Sequence, residues 1–238
     1  MGTPSTADAR AHAPGPDYVR SLRQFTSPTI ANALELLGVT PRQAVYSNAG
    51  IRCLFPELGP VVGFACTATI LSAQPPSDPR RIWRTAYWQY TARMPEPKIT
   101  VVQDLSEHPG GAYWGEVNAN IHRALGSQGV ITNGTVRDVE EVRALGDFHF
   151  FAAGLQVSHG HAHLEDFDRP VKVFEILVHP GDLIHADRHG ALVIPLDVAC
   201  HVADAAREIE RREKPMIALC RSGDFSIEEL DKLIPHAY

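Results

Sequence analysis

The chain has 238 residues, 44% of them apolar and 21% charged, proportions that exclude wholesale disorder, a collagen-like repeat and a disulfide-built miniprotein. Acids outnumber bases 28 to 22, a formal charge of −6, and no Lys/Arg block of the kind that neutralises a phosphate backbone is present, so nucleic acid is not an expected partner. At roughly 150 residues per domain, the length points to one compact domain with long termini.

Residues 1–16, rich in Ala, Pro, Gly and Thr without periodicity, read as a mobile leader, which leaves 17–238 as a single domain. Ser27-Pro28-Thr29-Ile30 predicts a helix: the serine caps, proline takes the first position, Ile30, Leu34 and Leu37 share a face, and Gly38 stops it. Gly59 to Leu71 is small, β-branched and apolar, as a buried strand requires. In the Pro-rich insert 76–97, Ile82, Ala86, Tyr90 and Arg93 have helical spacing beside Trp83, Tyr87 and Trp88, and Pro95 and Pro97 end the run. Such an insert would cover an opening or face another subunit.

Ile99 to Asp104 predicts a strand, Trp114 to Leu125 a helix closed by Gly126, and Gly129 to Thr132 a strand ending at the turn pair Asn133-Gly134. Strand, helix, strand in that order implies a parallel crossover in a mixed α/β fold. A second helix follows over about 139–145, then extended runs at Phe148 to Leu155 and Val171 to Val178. The turn His179-Pro180-Gly181-Asp182 leads into strands at Leu183 to Ala186 and Ala191 to Ile194. Residues 197–221 form a long amphipathic helix, and Ser226-x-x-Glu229 opens a short last one.

Cys53, Cys66, Cys200 and Cys220 lie too far apart for a CxxC metal site or a secreted disulfide framework, which points to a reducing, cytoplasmic setting. No stretch approaches the roughly 18 apolar residues that span a bilayer, and the N-terminus lacks the apolar core of a signal peptide, so no membrane partner is expected.

The stretch from Trp114 to Glu141 carries the chemistry, because it places two helix starts at the ends of adjacent elements. Gly115 opens the first helix, so the amides of Glu116, Val117 and Asn118 lack intrahelical acceptors and can receive a carboxylate. Arg137, just ahead of the second helix, can complete that grip with a bidentate guanidinium. Asp138 and Glu116 offer hard oxygen ligands for Mg²⁺ or Mn²⁺. Spacing alone accounts for these residues more economically without any site: Asp138-x-x-Glu141 fits reciprocal capping, and Arg137 a surface ion pair.

The same segment resembles the RraA-like family, to which the class II HMG/CHA aldolases belong. The similarity covers Thr29 to Gly38, Gly63 to Thr69, Gly115 to Glu141 with its Asn-Gly-Thr-Val-Arg-Asp core, and Pro180 to Gly190. The resemblance implies an α/β/β/α sandwich of the swivelling β/β/α type, a homotrimer or homohexamer with active sites between subunits. It assigns Arg137 to the pyruvyl carboxylate, Asp138 to the divalent metal, Glu116 to the metal through water, and the amides of Val117 and Asn118 to the substrate. An acid on a neighbouring subunit's C-terminal helix assists in the aldolases, and Glu208, Glu210 and Glu213 are candidates here. The implied activity is metal-dependent cleavage of a carbon–carbon bond in a small 2-oxo acid, by retro-aldol reaction or oxaloacetate-type decarboxylation through a pyruvate enolate. The alternative within the same resemblance is a non-catalytic regulator of an RNA-degrading enzyme, ribonuclease E.

Asn32 stands where many relatives have aspartate, and His185 and His189 flank Asp187 where the aldolases usually have other residues. A rival metal site is His159-Gly-His-Ala-His163, since three imidazoles alternating on a strand share one face and can bind Zn²⁺. Against it, glycine weakens the strand and no fourth ligand is specified.

Overall fold

The computed structural model describes residues 14–39, 46–77 and 84–234. Most of the expected leader, residues 1–13, and Ile82 and Trp83 of the aromatic insert lie outside them, while Pro16, assigned to the leader, already opens helix α1 (Pro16–Ser21). Helix α2 (Ser27–Leu36) ends in a Schellman motif: Gly38 takes φ 83°, its N–H reaches Glu35 O and the Val39 N–H reaches Leu34 O, both at 2.9 Å.

A nine-stranded mixed sheet organises the rest. Its central strands β2 (Val61–Leu71), β3 (Lys98–Asp104), β5 (Ser127–Val136) and β6 (His149–Leu155) are mutually parallel in the order β6-β5-β3-β2. β1 (Arg52–Cys53) extends the β6 edge, and the hairpin of β10 (Leu183–Asp187) and β11 (Gly190–Ile194) continues antiparallel beyond β2. β4 (Ala112–Trp114) adds to β5, and β7 (His163–Phe167) to β2. β3 to β5 is the expected parallel crossover, made through α4 (Glu116–Ala124).

Strands buried on both faces read as nearly continuous apolar text, and β2 is buried over its first eight residues. Its alternate side chains divide three cores. Val61 and Ala65 join Ile99, Val101, Ile131, Phe151, Ile184 and Ala186 in an inner core closed by the small hairpin of β8 (Val171–Val173) and β9 (Ile176–Val178). Val62 and Phe64 face an outer layer of α1, α2 and α6 (Val202–Arg221). Cys66, Ala68 and Ile70 face the opposite layer of α3 (Arg84–Arg93), α4 and α5 (Val139–Arg143). The layers are therefore helix, sheet, sheet, helix, with the strongly curved sheet enclosing its own core. A last short helix, α7 (Ile227–Asp231), is capped by Ser226 as its sequence predicts.

Several local expectations are corrected. Thr26, not Ser27, caps α2, its Oγ1 accepting from Thr29 N; Ser27 instead bonds through its Oγ to the buried His185. Trp114 ends a strand rather than starting a helix, because its backbone pairs with Val136 and its indole is wholly buried. β5 runs through Asn133-Gly134 with a bulge between Thr132 and Thr135. The Asn133 amide accepts from Asp104 N at 2.7 Å and donates to Asp104 O at 2.9 Å, so a side chain continues the ladder where β3 ends. Val171 to Val178 is not one strand but a hairpin, turned at Phe174 and Glu175 with φ of 46° and 70°.

Lys98 is 1% exposed at the start of β3. Its Nζ donates to Thr91 O (3.0 Å) and Ala92 O (3.3 Å) near the C-terminal end of α3, and to Leu125 O (3.1 Å) just past α4. One ammonium thus satisfies the orphan carbonyls of two helix ends and opposes both dipoles. Burial pushes three imidazoles down to about 4, two of them with both ring nitrogens engaged: His122, bonded to Asn118 O and Tyr87 Oη, and His185, bonded to Ser27 Oγ and Phe25 O.

Replacing Lys98 by Met removes the Nζ donor from three helix-end carbonyls, of which Thr91 O keeps Met94 N at 3.3 Å, and should cost about 3 kcal/mol in urea unfolding, seen as a lower midpoint at unchanged m. The two histidines bind protons near pH 6.5 when unfolded and near 4 when folded. Stability should therefore be fully present above pH 6.5 and fall towards pH 4, by on the order of 1–3 kcal/mol per imidazole. A His122→Gln variant should show a shallower pH slope in the same titration.

Candidate active site

The C-terminal ends of β4 and β5 meet at residues 114–138. Arg137 N donates to Trp114 O at 2.9 Å, which brings Gly115, the residue before α4, against the Arg137-Asp138 turn. Asp138 adopts the left-handed conformation, φ 53° and ψ 46°, one that Asp and Asn accept more readily than most side chains. It stands at the cap position of α5, yet its carboxylate makes no capping bond there. The local capping account of Asp138-x-x-Glu141 is overturned: Oδ2 accepts instead from Glu116 N, the first amide of α4, at 3.0 Å. Arg137 Nε lies 3.6 Å from the same oxygen.

This packing needs glycine at 115. A Cβ there would overlap Asp138 Oδ2 and come within 3.0 Å of Arg137 Cγ. With Glu116 N taken by Asp138, the next amides, of Val117 and Asn118, remain as first-turn donors without intrahelical acceptors. The Asn118 side chain is itself fixed, its Nδ2 donating to Tyr113 O at 2.6 Å.

Arg137, Asp138, Val117 and Asn118 line one cavity of about 320 Å³. Arg137 and Asp138 are each about one third exposed, at 37% and 35% for the side chains. Glu116 contributes its amide to the turn, but its side chain is exposed and does not line the cavity. Glu141 does not line it, nor do Glu208, Glu210 and Glu213 of the same chain. Glu208 is engaged along α6 by Arg211 and Arg212, and Glu210 by Lys214.

Four further wall residues carry no assignment from the sequence: Arg84 and Trp88 of α3, Tyr113 of β4 and Ile121 of α4. The helical spacing of the aromatic insert was the available signal, since it predicts a helix over an opening. Burial pushes the Tyr113 phenol up to about 12, against the pull of Arg84, so it stays a neutral hydroxyl at pH 7. His159 also lines the cavity. It shares no strand face with His161 and His163: Gly160, at φ 53°, turns the chain, and only His163 belongs to β7. His163 is bonded instead to Glu165 Oε1 and His161 O. His185 and Asp187 lie elsewhere, with His185 buried against Ser27.

Among the described residues, no group of three or more His, Cys, Asp and Glu gathers as a ready-made metal cage. The donor set at Asp138 is nevertheless of the kind Mg²⁺ uses, one or two carboxylates with water and substrate oxygens completing the shell. All four cysteines are free thiols, and no helix among the described residues is long and apolar enough to cross a membrane.

A family model described as RraA-like, Aldolase/RraA, matches residues 27–193. A crystal structure of an uncharacterized protein from Pseudomonas syringae pv. tomato superposes with a TM-score of 0.73 at 22% identity, covering 98% of this chain and 100% of that one. Streptomyces coelicolor RraAS2, described as an unusual member of the RNase ES inhibitor RraA protein family, gives 0.67 at 25% identity over 85% and 96% of the two chains. Protein DlpA of Legionella pneumophila is 26% identical over 213 residues, 85% of this chain and 32% of its own. An uncharacterized protein of Methanocaldococcus jannaschii is 31% identical over 104 residues, 43% and 50% of the respective lengths. The chain thus spans 32% and 50% of the lengths of these two curated relatives.

Gly115→Ala should drive the Asp138 carboxylate off the Glu116 amide. Far-ultraviolet circular dichroism is expected to stay native while the Glu116 amide exchanges with deuterium about tenfold or more faster, the worth of one charge-assisted hydrogen bond.

Proposed function

The chain belongs to the RraA-like family, and on that premise we propose that it is a divalent-metal-dependent lyase cleaving a carbon–carbon bond of a small 2-oxo acid. The supporting observation is that Arg137 and Asp138 face one cavity together with the unsatisfied start of α4. Arg137 and the amides of Val117 and Asn118 would receive the substrate's carboxylate, with the positive end of the helix adding to the guanidinium. Asp138, on the cavity wall, would hold Mg²⁺ or Mn²⁺ directly, and Glu116, whose carboxylate lies outside that wall, would reach the ion only through water. Such an ion, when bound, supplies Lewis-acid stabilisation for the negative charge of the pyruvate enolate that retro-aldol cleavage and β-decarboxylation share.

The turn conformation of Asp138 fixes its carboxylate before substrate arrives, and the Glu116 amide leaves Oδ1 available. Fixing the carboxylate end at Arg137 orients the reacting bond within the cavity. Trp88 and Ile121 provide apolar wall that limits water, and Arg84 suits a second acidic group at the distal end of a substrate such as oxaloacetate. Beside the site, Val117 (71%), Leu155 (61%) and Val157 (95%) are conspicuously exposed. We read this rim as the contact of a second copy in a homotrimer or homohexamer.

A regulatory reading is favoured by one observation, the 25% identity to RraAS2 over most of both chains. It makes the protein a non-catalytic partner of an RNA-degrading enzyme. The two separate by assay. A lyase turns over oxaloacetate with Mg²⁺, loses turnover on chelation, and in Arg137→Ala falls about a hundredfold or more in kcat/KM with the fold intact. Absence of turnover defeats the lyase, undiminished turnover in Arg137→Ala defeats the Arg137 cavity as its site, and binding to a ribonuclease with no turnover establishes the regulator.

A further inference from the structure

A second cavity, of about 350 Å³, opens where β5 and β6 begin, beside the C-terminal end of α4. Arg23, Arg123, Gln128, Asp147 and His149 form its polar wall, and it shares no lining residue with the Arg137 cavity. Two of these side chains present buried polar atoms without a partner: Nδ1 of His149, a residue only 2% exposed, and Oε1 of Gln128. Buried polar atoms are nearly always paired, so two orphans on residues that line one cavity require an explanation. The imidazole is held in place by stacking on Phe151, with ring centroids 5.8 Å apart and planes within 7°, and has little freedom to seek another partner.

The charges facing this imidazole come from several elements. Arg123 is held on Asp147 by two bonds of 2.6 and 2.8 Å. Glu57, whose charge also reaches His149, is engaged by Arg143. Arg23 is steered to the cavity by its Nε, which donates to Pro60 O at 2.9 Å. Burial first, then the charge of Arg23, hold His149 down to about 4. With the imidazole neutral, the described residues give the wall two guanidinium groups against the single carboxylate of Asp147, an excess of positive charge around unsatisfied hydrogen-bonding groups. That combination suits a group offering several acceptor oxygens and negative charge. Rotating the Gln128 amide about its last torsion exchanges its oxygen for its N–H₂ without moving the chain.

We propose that this cavity is a second binding site, for a small oxyanion, a carboxylate or a phosphate, seated between the Arg23 guanidinium and the His149 imidazole with the Gln128 amide donating. An anion placed there puts negative charge beside the imidazole and offsets Arg23, so it makes the imidazole more basic. Binding therefore takes up a proton and tightens as pH falls. The site is independent of the lyase reading, because it uses none of that cavity's residues.

The test uses the full chain carrying Arg137→Ala, which disables anion capture in the first cavity. Acetate and inorganic phosphate are titrated separately by calorimetry, with the His149 ring followed by nuclear magnetic resonance. Saturable binding that shifts the His149 resonances is expected, about fivefold tighter for acetate at pH 5.5 than at 7.5. Adding Arg23→Gln, a change at an exposed residue, should weaken it about tenfold or more. Binding of acetate alone identifies a carboxylate ligand and of phosphate alone a phosphorylated one. Failure of both anions to move His149, acetate affinity unchanged by pH, or affinity unchanged by Arg23→Gln overturns the proposal.

Discussion

The bond from Glu116 N to the Asp138 carboxylate, 3.0 Å long, ties the start of one helix to the turn before another. An acid in the left-handed region is conformationally unfavourable by itself, and it persists where the surroundings over-determine it. Here the surroundings are the missing side chain of Gly115, the backbone bond from Arg137 to Trp114, and the bond from Val142 N to Asp138 O that begins α5. Remove the carboxylate contact and the turn loses its reason to hold that shape. Arg137 then loses its placement, since the same turn aims it at the cavity.

Beneath this turn the molecule is stiffened by polar groups buried in satisfied surroundings. Lys98 sits under two helix ends, and His122 fastens the body of α4 to Tyr87 of α3. Such groups are costly when unpaired and geometrically demanding when paired. They suit the task of setting α3 and α4 relative to each other, because those two helices supply facing walls of the Arg137 cavity. The inner core does the complementary work: its small and β-branched residues let the sheet curve far enough to bring both outer layers into place.

The parallel strands and main helices are legible in the sequence because each carries its own local signal, an apolar run or a stop at Gly38 or Gly126. What escapes is non-local. Asn133-Gly134 has the text of a turn, and only the neighbouring end of β3 makes the asparagine a continuation of the sheet. Trp114 reads as the first residue of a helix until the partner strand is known. Asp138-x-x-Glu141 has the spacing of a cap, and the competing donor lies 22 residues away in sequence. Arg137, Asp138, Val117 and Asn118 are brought together on one cavity, while Arg84 and Trp88 arrive from an insert whose helical period gives no direction.

The left-handed turn at Asp138 has an evolutionary corollary. Asparagine shares the tolerance for that conformation, and its side-chain oxygen can accept the same amide proton. An exchange of one carboxylate oxygen for nitrogen would thus preserve the architecture while discharging the one acid that the described residues place on the cavity wall. A scaffold built this way can change the charge of its cavity in a single isosteric step, without passing through an unfolded ancestor.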